Sequence, residues 1–263
     1  MTLLDVVLVA LITGIGEVLP LGAAAHLAFL PAIAGTPDQL AVAAAAADMG
    51  IVCGLSVYFW RDFAAMAVGL WRMIKGRPDA GTRLFFQLVL GTVPALLLGW
   101  AFTRLAPGVG GRTVAAGAMA GFGLLLLLAD RLGMTVRRID HLSPVGALVI
   151  GTLQAAALVP GVARVGIAIT AARLLGYERA DSARLALLLS IPLLAWSAVS
   201  LVWRLRGELV LSSDLAAAVV VAGVAALAAC AGMTGWVRRH SYTPFAVWRI
   251  LLGIGMLVAI FWA

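Results

Sequence analysis

The sequence predicts an all-α polytopic membrane protein with an inverted-topology repeat, each half a re-entrant helical hairpin plus three transmembrane helices. Three observations predict it. The chain of 263 residues is 63% apolar and only 12% charged, with mean hydropathy +1.07, whereas soluble domains carry about 25% charged residues. Apolar runs extend from end to end, and no loop is long enough for a separate soluble domain, so residues 1–263 are expected to form a single membrane domain. Two of the runs are broken in the middle by proline and small or polar residues, at Glu17-Val-Leu-Pro20 and at Pro160-Gly161. Broken backbone at membrane depth survives only where it is buried in protein or lines a polar cavity.

The first run, Leu3–Leu19, turns small and polar through Thr13, Gly14, Gly16 and Glu17. Pro20 follows, then Gly22-Ala-Ala-Ala-His26 and a further apolar run to Pro31. Proline stops a helix and the small residues permit a turn, so this segment reads as a hairpin. It places His26 roughly two turns into the second half-helix. Full spans are expected at about 40–60, 84–106 and 113–130, each close to the roughly 20 residues a bilayer requires. Residues 62–76 (DFAAMAVGLWRMIKG) have the amphipathic pattern of an interfacial helix.

The second broken run, Leu148–Gly176, lies in a hairpin at 143–176. Arg164 falls in the first turn of its second half. A helix start with an arginine beside it is an anion cradle, and an intramembrane arginine marks a functional site. Three more spans are expected at about 185–204, 213–236 and 246–263.

Hairpin plus three spans therefore occurs twice, over about 1–131 and 140–263. Aligning Pro20 on Pro160 matches Leu8 with Leu148, Val9 with Val149 and Ala23 with Ala163. Three is odd, so the second unit enters from the opposite face. Inverted repeats of this kind place their site at the midplane, where the hairpin tips meet.

Loop charges set the orientation. With 61–83 placed inside, fourteen basic residues, Arg173 and Arg249 among them, lie inside or near it, against Arg104, Arg112, Arg204 and Arg206 outside. That bias opens the first hairpin outward and the second inward. It also accounts for the basic excess, so the expected partners are the lipid bilayer and its anionic headgroups, not nucleic acid. Cys53 and Cys230, both in apolar runs, read as small buried hydrophobes. The N-terminus lacks a basic n-region, so the first run is expected to belong to the mature fold. Six tryptophans (Trp60, Trp71, Trp203, Trp236, Trp248 and Trp262) fall near span ends, where an interfacial belt belongs.

Four residues could carry chemistry. Glu17 reads either as a structural partner of Arg164 or as a general base or metal ligand. His26 reads as a satisfied polar group or, sharing a hairpin with Glu17, as an acid-base or phosphate contact. Asp48, inside the first full span, reads as a packing or arginine-pairing residue or as a second carboxylate. Arg164 is the strongest candidate. Thr170 and Ser190 read as helix-packing hydroxyls. No P-loop, dinucleotide fingerprint, zinc spacing or Ser-His-Asp order is present.

At these residues the chain resembles the bacterial undecaprenyl-diphosphate phosphatase family. The resemblance lies in Gly14–Pro20 through His26-Leu27, Val57–Phe63, Ala129-Asp-Arg131, Gln154–Gly166 and Ala183–Pro192. It implies six spans with two re-entrant hairpins, a multi-pass protein of the bacterial inner membrane, and a site facing the outer leaflet. It implies hydrolysis of a C55 polyprenyl diphosphate to the monophosphate in lipid-carrier recycling, often helped by Mg²⁺ or Ca²⁺. Carried over, Glu17, His26 and Arg164 would be catalytic. Arg164, Gly161, Gly166 and His26 would hold the diphosphate, and Glu17 with Asp48 would take the metal. A homodimer is left open.

The departures are specific. The family pairs two acidic or amide residues four apart; here Glu17 is kept and Thr13 stands at the other position. Pro-x-Ser-Ser-Thr-Gly-His becomes Pro20-Leu-Gly-Ala-Ala-Ala-His26. Pro-Gly-x-Ser-Arg-Ser-Gly becomes Pro160-Gly-Val-Ala-Arg-Val-Gly166, and a further threonine is Ala168. The costly charges persist while the motif hydroxyls are gone, so a serine nucleophile at the first tip is impossible. Three readings follow: a phosphatase that uses water, a non-hydrolytic relative that binds or translocates a polyprenyl-phosphate lipid, and a structural membrane subunit with a relict site.

Overall fold

The computed structural model describes residues 1–29, 36–105, 110–204 and 212–262. The far end of the first hairpin's apolar run, toward Pro31, and the Arg206 loop position lie outside them. The described residues form eleven α-helices. They are α1 (Leu3–Val18), α2 (Ala23–Ala28), α3 (Pro37–Tyr58), α4 (Trp60–Ile74), α5 (Ala80–Leu105), α6 (Arg112–Leu132), α7 (Pro144–Gln154), α8 (Arg164–Leu174), α9 (Arg179–Arg204), α10 (Ser213–Val237) and α11 (Thr243–Trp262). Among the described residues there is no sheet, only an isolated bridge between Arg137 and Tyr177. Six helices (α3, α5, α6, α9, α10 and α11) are long and apolar enough to cross a membrane. The protein is therefore an all-α multi-pass membrane protein.

Helix starts follow the local chemistry. Thr2 and Asp5 form a capping box on α1, and Thr36 and Gln39 form one on α3, where Pro37 takes the first helical position. Ser143 caps α7 ahead of Pro144. α5 begins at Ala80, earlier than hydropathy alone places it, because the Asp79 carboxylate accepts the Thr82 N–H at 3.1 Å. α9 begins at Arg179 and not near 185. Its charged first turns are paired, Arg179 with Asp130 and Arg184 with Asp62, so the helix extends through a segment too polar to read as a span.

The expected interfacial helix is α4. Trp60 and Trp71 are exposed, with Arg61 and Lys75 over their rings at 5.4 and 4.9 Å. Apolar side chains such as Leu97, Val224 and Leu251 face outward on the spans, as lipid-facing residues do. The core lies between α3, α8 and α9, with Ile51, Leu55, Ile169, Leu185 and Leu187 fully buried. α3 approaches α10 closely: a Cβ at Gly50 would stand 2.1 Å from the Val219 carbonyl, so only glycine fits.

One buried ionic knot ties the end of α6 to the end of α8 and to the starts of α9 and α11. The Asp130 Oδ1 lies 2.7 Å from Arg179 Nε and 3.3 Å from Arg173 Nε, and Oδ2 accepts the Tyr242 N–H at 3.0 Å. Arg173 Nη2 also donates to the carbonyls of Asp130 and Gly133. The Tyr242 hydroxyl donates to the Arg179 carbonyl at 2.8 Å. Burial, with the Asp130 charge behind it, pushes that phenol above its ordinary range, so it remains a donor.

Candidate active site at the hairpin tips

Each hairpin turns at a glycine in the left-handed region, Gly22 at φ +83° and Gly161 at φ +93°. The tips touch. A Cβ on Gly22 would meet Ala163 at 3.5 Å, and one on Gly166 would meet Pro20 at 3.5 Å. Gly161 also lies hard against α6, where a Cβ would stand 2.0 Å from the Ala115 carbonyl. Tip contact was the expectation from the repeated hairpins.

That contact brings Glu17 and Arg164 together. Glu17 is in the last turn of α1 and Arg164 opens α8. Their side chains are 15% and 22% exposed, with Arg164 Nη1 3.9 Å from Glu17 Oε2. Arg164 Nη1 is buried and has no hydrogen-bond partner. Asp48, buried on α3, joins them: its carboxyl lies in electrostatic range of both Arg164 and Glu17 and in hydrogen-bonding reach of Ser197. The three charged residues singled out in the sequence thus share one buried neighbourhood.

His26 sits differently. α2 begins only at Ala23, so His26 is one turn into its half-helix and not two. Its Nδ1 lies 2.8 Å from the Gly22 carbonyl, and its Nε2 lies 3.1 Å from the Trp248 indole nitrogen, with the two ring planes within 4° of parallel. Indole N–H can only donate, so Nε2 accepts and Nδ1–H donates to Gly22. Both nitrogens are engaged by the protein.

Gly161 and Gly166 flank Arg164, as the motif requires. Ala163 and Ala168, in place of the motif hydroxyls, are buried. α8 starts with no side-chain cap on its first-turn N–H groups. Orphaned polar groups gather here. Among the described residues, buried side-chain N or O atoms without a hydrogen bond belong to Thr13, Gln154, Arg164, Arg173 and Arg249. The Arg173 Nε is already ion-paired with Asp130. The other four lie on the hairpins or reach them, and buried orphans in such a concentration point to a polar ligand or water.

Three of these, Thr13, Gln154 and Arg249, were not among the sequence candidates. Gln154 is 3% exposed with both amide atoms unpaired; its signal is an amide six residues before Pro160 in an otherwise apolar run. Arg249 and Arg173, counted as basic residues inside or near the inner loops, are fully buried instead. Removing them leaves twelve against four, and the positive-inside bias stands.

Among the described residues no group of three or more His, Cys, Asp or Glu side chains could hold a metal. Glu17 and Asp48 offer two carboxylates. A cavity of about 530 Å³ between α4, α5 and α9, lined by Thr82, Arg83, Gln87 and Arg184, includes none of the candidate residues.

Fold and site define a class: a multi-pass helical membrane protein with buried, oppositely charged side chains where two broken hairpins meet. Residues 6–255 match the family described as bacitracin resistance protein BacA, and the chain belongs to that family. It is 49% identical to undecaprenyl-diphosphatase 1 of Paramagnetospirillum magneticum over 98% of this chain and 97% of that one. It is 44% identical to undecaprenyl-diphosphatase 1 of Rhodospirillum rubrum over 98% and 95%. With the undecaprenyl-diphosphatase of Geobacter metallireducens the identity is 36% over 95% of each.

Proposed function

We propose that this chain hydrolyses undecaprenyl diphosphate to the monophosphate, recycling the carrier lipid for cell-wall synthesis in the bacterial cytoplasmic membrane. The observation that carries this reading is the Arg164–Glu17 pair, two opposite charges 3.9 Å apart at the contact of the tips. At that separation neither group hydrogen-bonds the other. Arg164 keeps donors for a phosphate, and Glu17 keeps lone pairs for a proton.

In the step, a water oxygen bonds to the terminal phosphorus and its proton passes to Glu17. The bridging P–O bond breaks, and its electron pair leaves with the lipid monophosphate. Arg164 and the uncapped start of α8 stabilise the charge on the phosphoryl oxygens. The leaving group is itself a phosphate with a second pKa of about 6, so it needs no proton at neutral pH. His26, held by Gly22 and Trp248, is assigned to positioning the first hairpin. Water replaces the hydroxyl nucleophile that Gly22, Ala23 and Ala24 cannot supply.

A divalent cation, Mg²⁺ or Ca²⁺, fits in a limited way. Glu17 and Asp48 supply two hard ligands, fewer than either ion takes, so substrate oxygens would complete the shell, as Mg²⁺ sites commonly arrange. When bound, the ion neutralises charge on the diphosphate.

The packing also supports the inverted repeat: α1 packs on α10 of the second half while α7 packs on α5 of the first. That exchange is the architecture of alternating-access carriers, so lipid translocation is the second reading. Purified protein should release phosphate from C55 diphosphate. Glu17→Gln and Arg164→Ala should each lower kcat/KM at least about 100-fold. Undiminished release by both variants removes the mechanism. Lipid flipping in proteoliposomes with no phosphate released would establish the carrier in its place.

A further inference from the structure

Arg249 is the one fully buried arginine among the described residues with no carboxylate in ion-pair range. It lies on α11, a membrane span, with its Cβ packed against Gly123 of α6. Its Nη2 donates to the Gly161 carbonyl at the second hairpin tip, at 3.0 Å. Its Nε and Nη1 have no partner. At least three of its five N–H bonds are therefore without an acceptor. An ionised group in that condition, in low dielectric, is strongly disfavoured unless an anion or water completes it.

Its placement says which anion. Arg249 Nη1 lies 2.7 Å from the point a Cβ on Gly166 would occupy, in the first turn of α8 and two residues after Arg164. Two guanidinium groups therefore approach the same helix start, Arg164 from its own chain position and Arg249 from across the bundle. A diphosphate has two phosphoryl groups and more negative charge than one arginine can neutralise. Glu17 and Asp48 beside Arg164 add to that demand.

We propose that Arg249 is a second anion-binding side chain of the cradle, so that a diphosphate is held by two arginines at the start of α8. This rests on the diphosphatase reading and extends it to a residue on α11, outside both hairpin motifs. It also gives Gly166 a reason of its own: any side chain there would displace the guanidinium.

The test uses purified full-length protein, with inorganic pyrophosphate as the competing probe and C55 diphosphate as substrate. Arg249→Met removes the charge and keeps the length. Arg249→Lys keeps a point charge, and Gly166→Ala pushes the guanidinium aside. For Arg249→Met, the expected result is a rise of at least about tenfold in KM and in the pyrophosphate inhibition constant. Its Tm should be unchanged or higher, because an unpaired buried charge has been replaced by an apolar group. Arg249→Lys should recover part of the affinity, and Gly166→Ala should mimic the Met variant. A purely structural arginine gives the opposite pattern, a lowered Tm with pyrophosphate affinity and KM within about twofold of the parent, and that result overturns the proposal. Should Arg249→Met fail to fold, normal pyrophosphate affinity in Gly166→Ala overturns it equally. The underlying reading fails separately, if the parent protein releases no phosphate and Arg164→Ala changes nothing.

Discussion

A neutral imidazole has one donor and one acceptor, and His26 uses both on the protein, toward Gly22 and Trp248. If it is a strut between α2 and α11, His26→Ala should cost about 1–2 kcal/mol of stability. It should show a coupling energy of about 1 kcal/mol with Trp248→Phe in a double-mutant cycle read by thermal unfolding. A hundredfold loss of kcat/KM with Tm untouched would return His26 to the chemistry. Glu17, Asp48 and Arg164 were legible in the sequence because a charge deep in an apolar run demands a partner, and each proved to be the others' neighbour. Arg249 was not legible as a site residue. It stands close to the start of its run, where an arginine reads equally as one that reaches back to the interface. Only the packing of α11 on α6 shows that it turns inward. Gln154 escaped for a related reason: an amide bears no charge, so its cost in an apolar run raises no alarm until its lack of partners is seen.

At the level of elements, the two broken hairpins and the amphipathic α4 could be read directly, since a proline and a small-residue turn interrupt a periodic run whatever surrounds them. The length of α2 could not, because nothing in Gly22–His26 says where the turn relaxes into helix. The start of α9 was hidden because charged residues end a hydropathy window, yet those charges are paired in the fold. The two tip glycines separate conformational from steric demands. Gly22→Ala meets ordinary contacts near 3.5 Å and should cost only its positive φ, about 1–2 kcal/mol. Gly161→Ala carries the same penalty and also drives a methyl to 2.0 Å from the Ala115 carbonyl. It should cost at least about 2 kcal/mol more as the tip shifts off α6. Thermal unfolding should rank the pair, and phosphate release should fall with Gly161→Ala far more than with Gly22→Ala. Equal effects would mean that the tip does not need its seat on α6.

For the whole molecule, the Asp130 knot holds α6, the base of the second hairpin and the starts of α9 and α11 in one arrangement. Asp130→Asn keeps the shape and leaves Arg173 without a counter-charge in the interior. A loss of about 3–5 kcal/mol is expected, measured as unfolding in detergent. A loss below about 1 kcal/mol would show the knot to be no more than a surface pair. Membrane class and spans were legible from composition, but this knot was not, because its members are far apart in the chain. The helix α4 has a consequence for the molecule's surroundings. It is joined to α3 by Phe59 alone, and its exposed tryptophans, with Arg61 and Lys75 over their rings, suit it to the headgroup plane, where it would ride like a float. Asp48 lies about midway along α3, so the draught of that float sets how far the carboxylate rides below the lipid surface. With α4 at the waterline, longer or shorter acyl chains would leave α3 to take up the mismatch, by tilting for instance. Turnover in proteoliposomes should therefore vary with acyl-chain length, through a segment that contributes nothing to the chemistry.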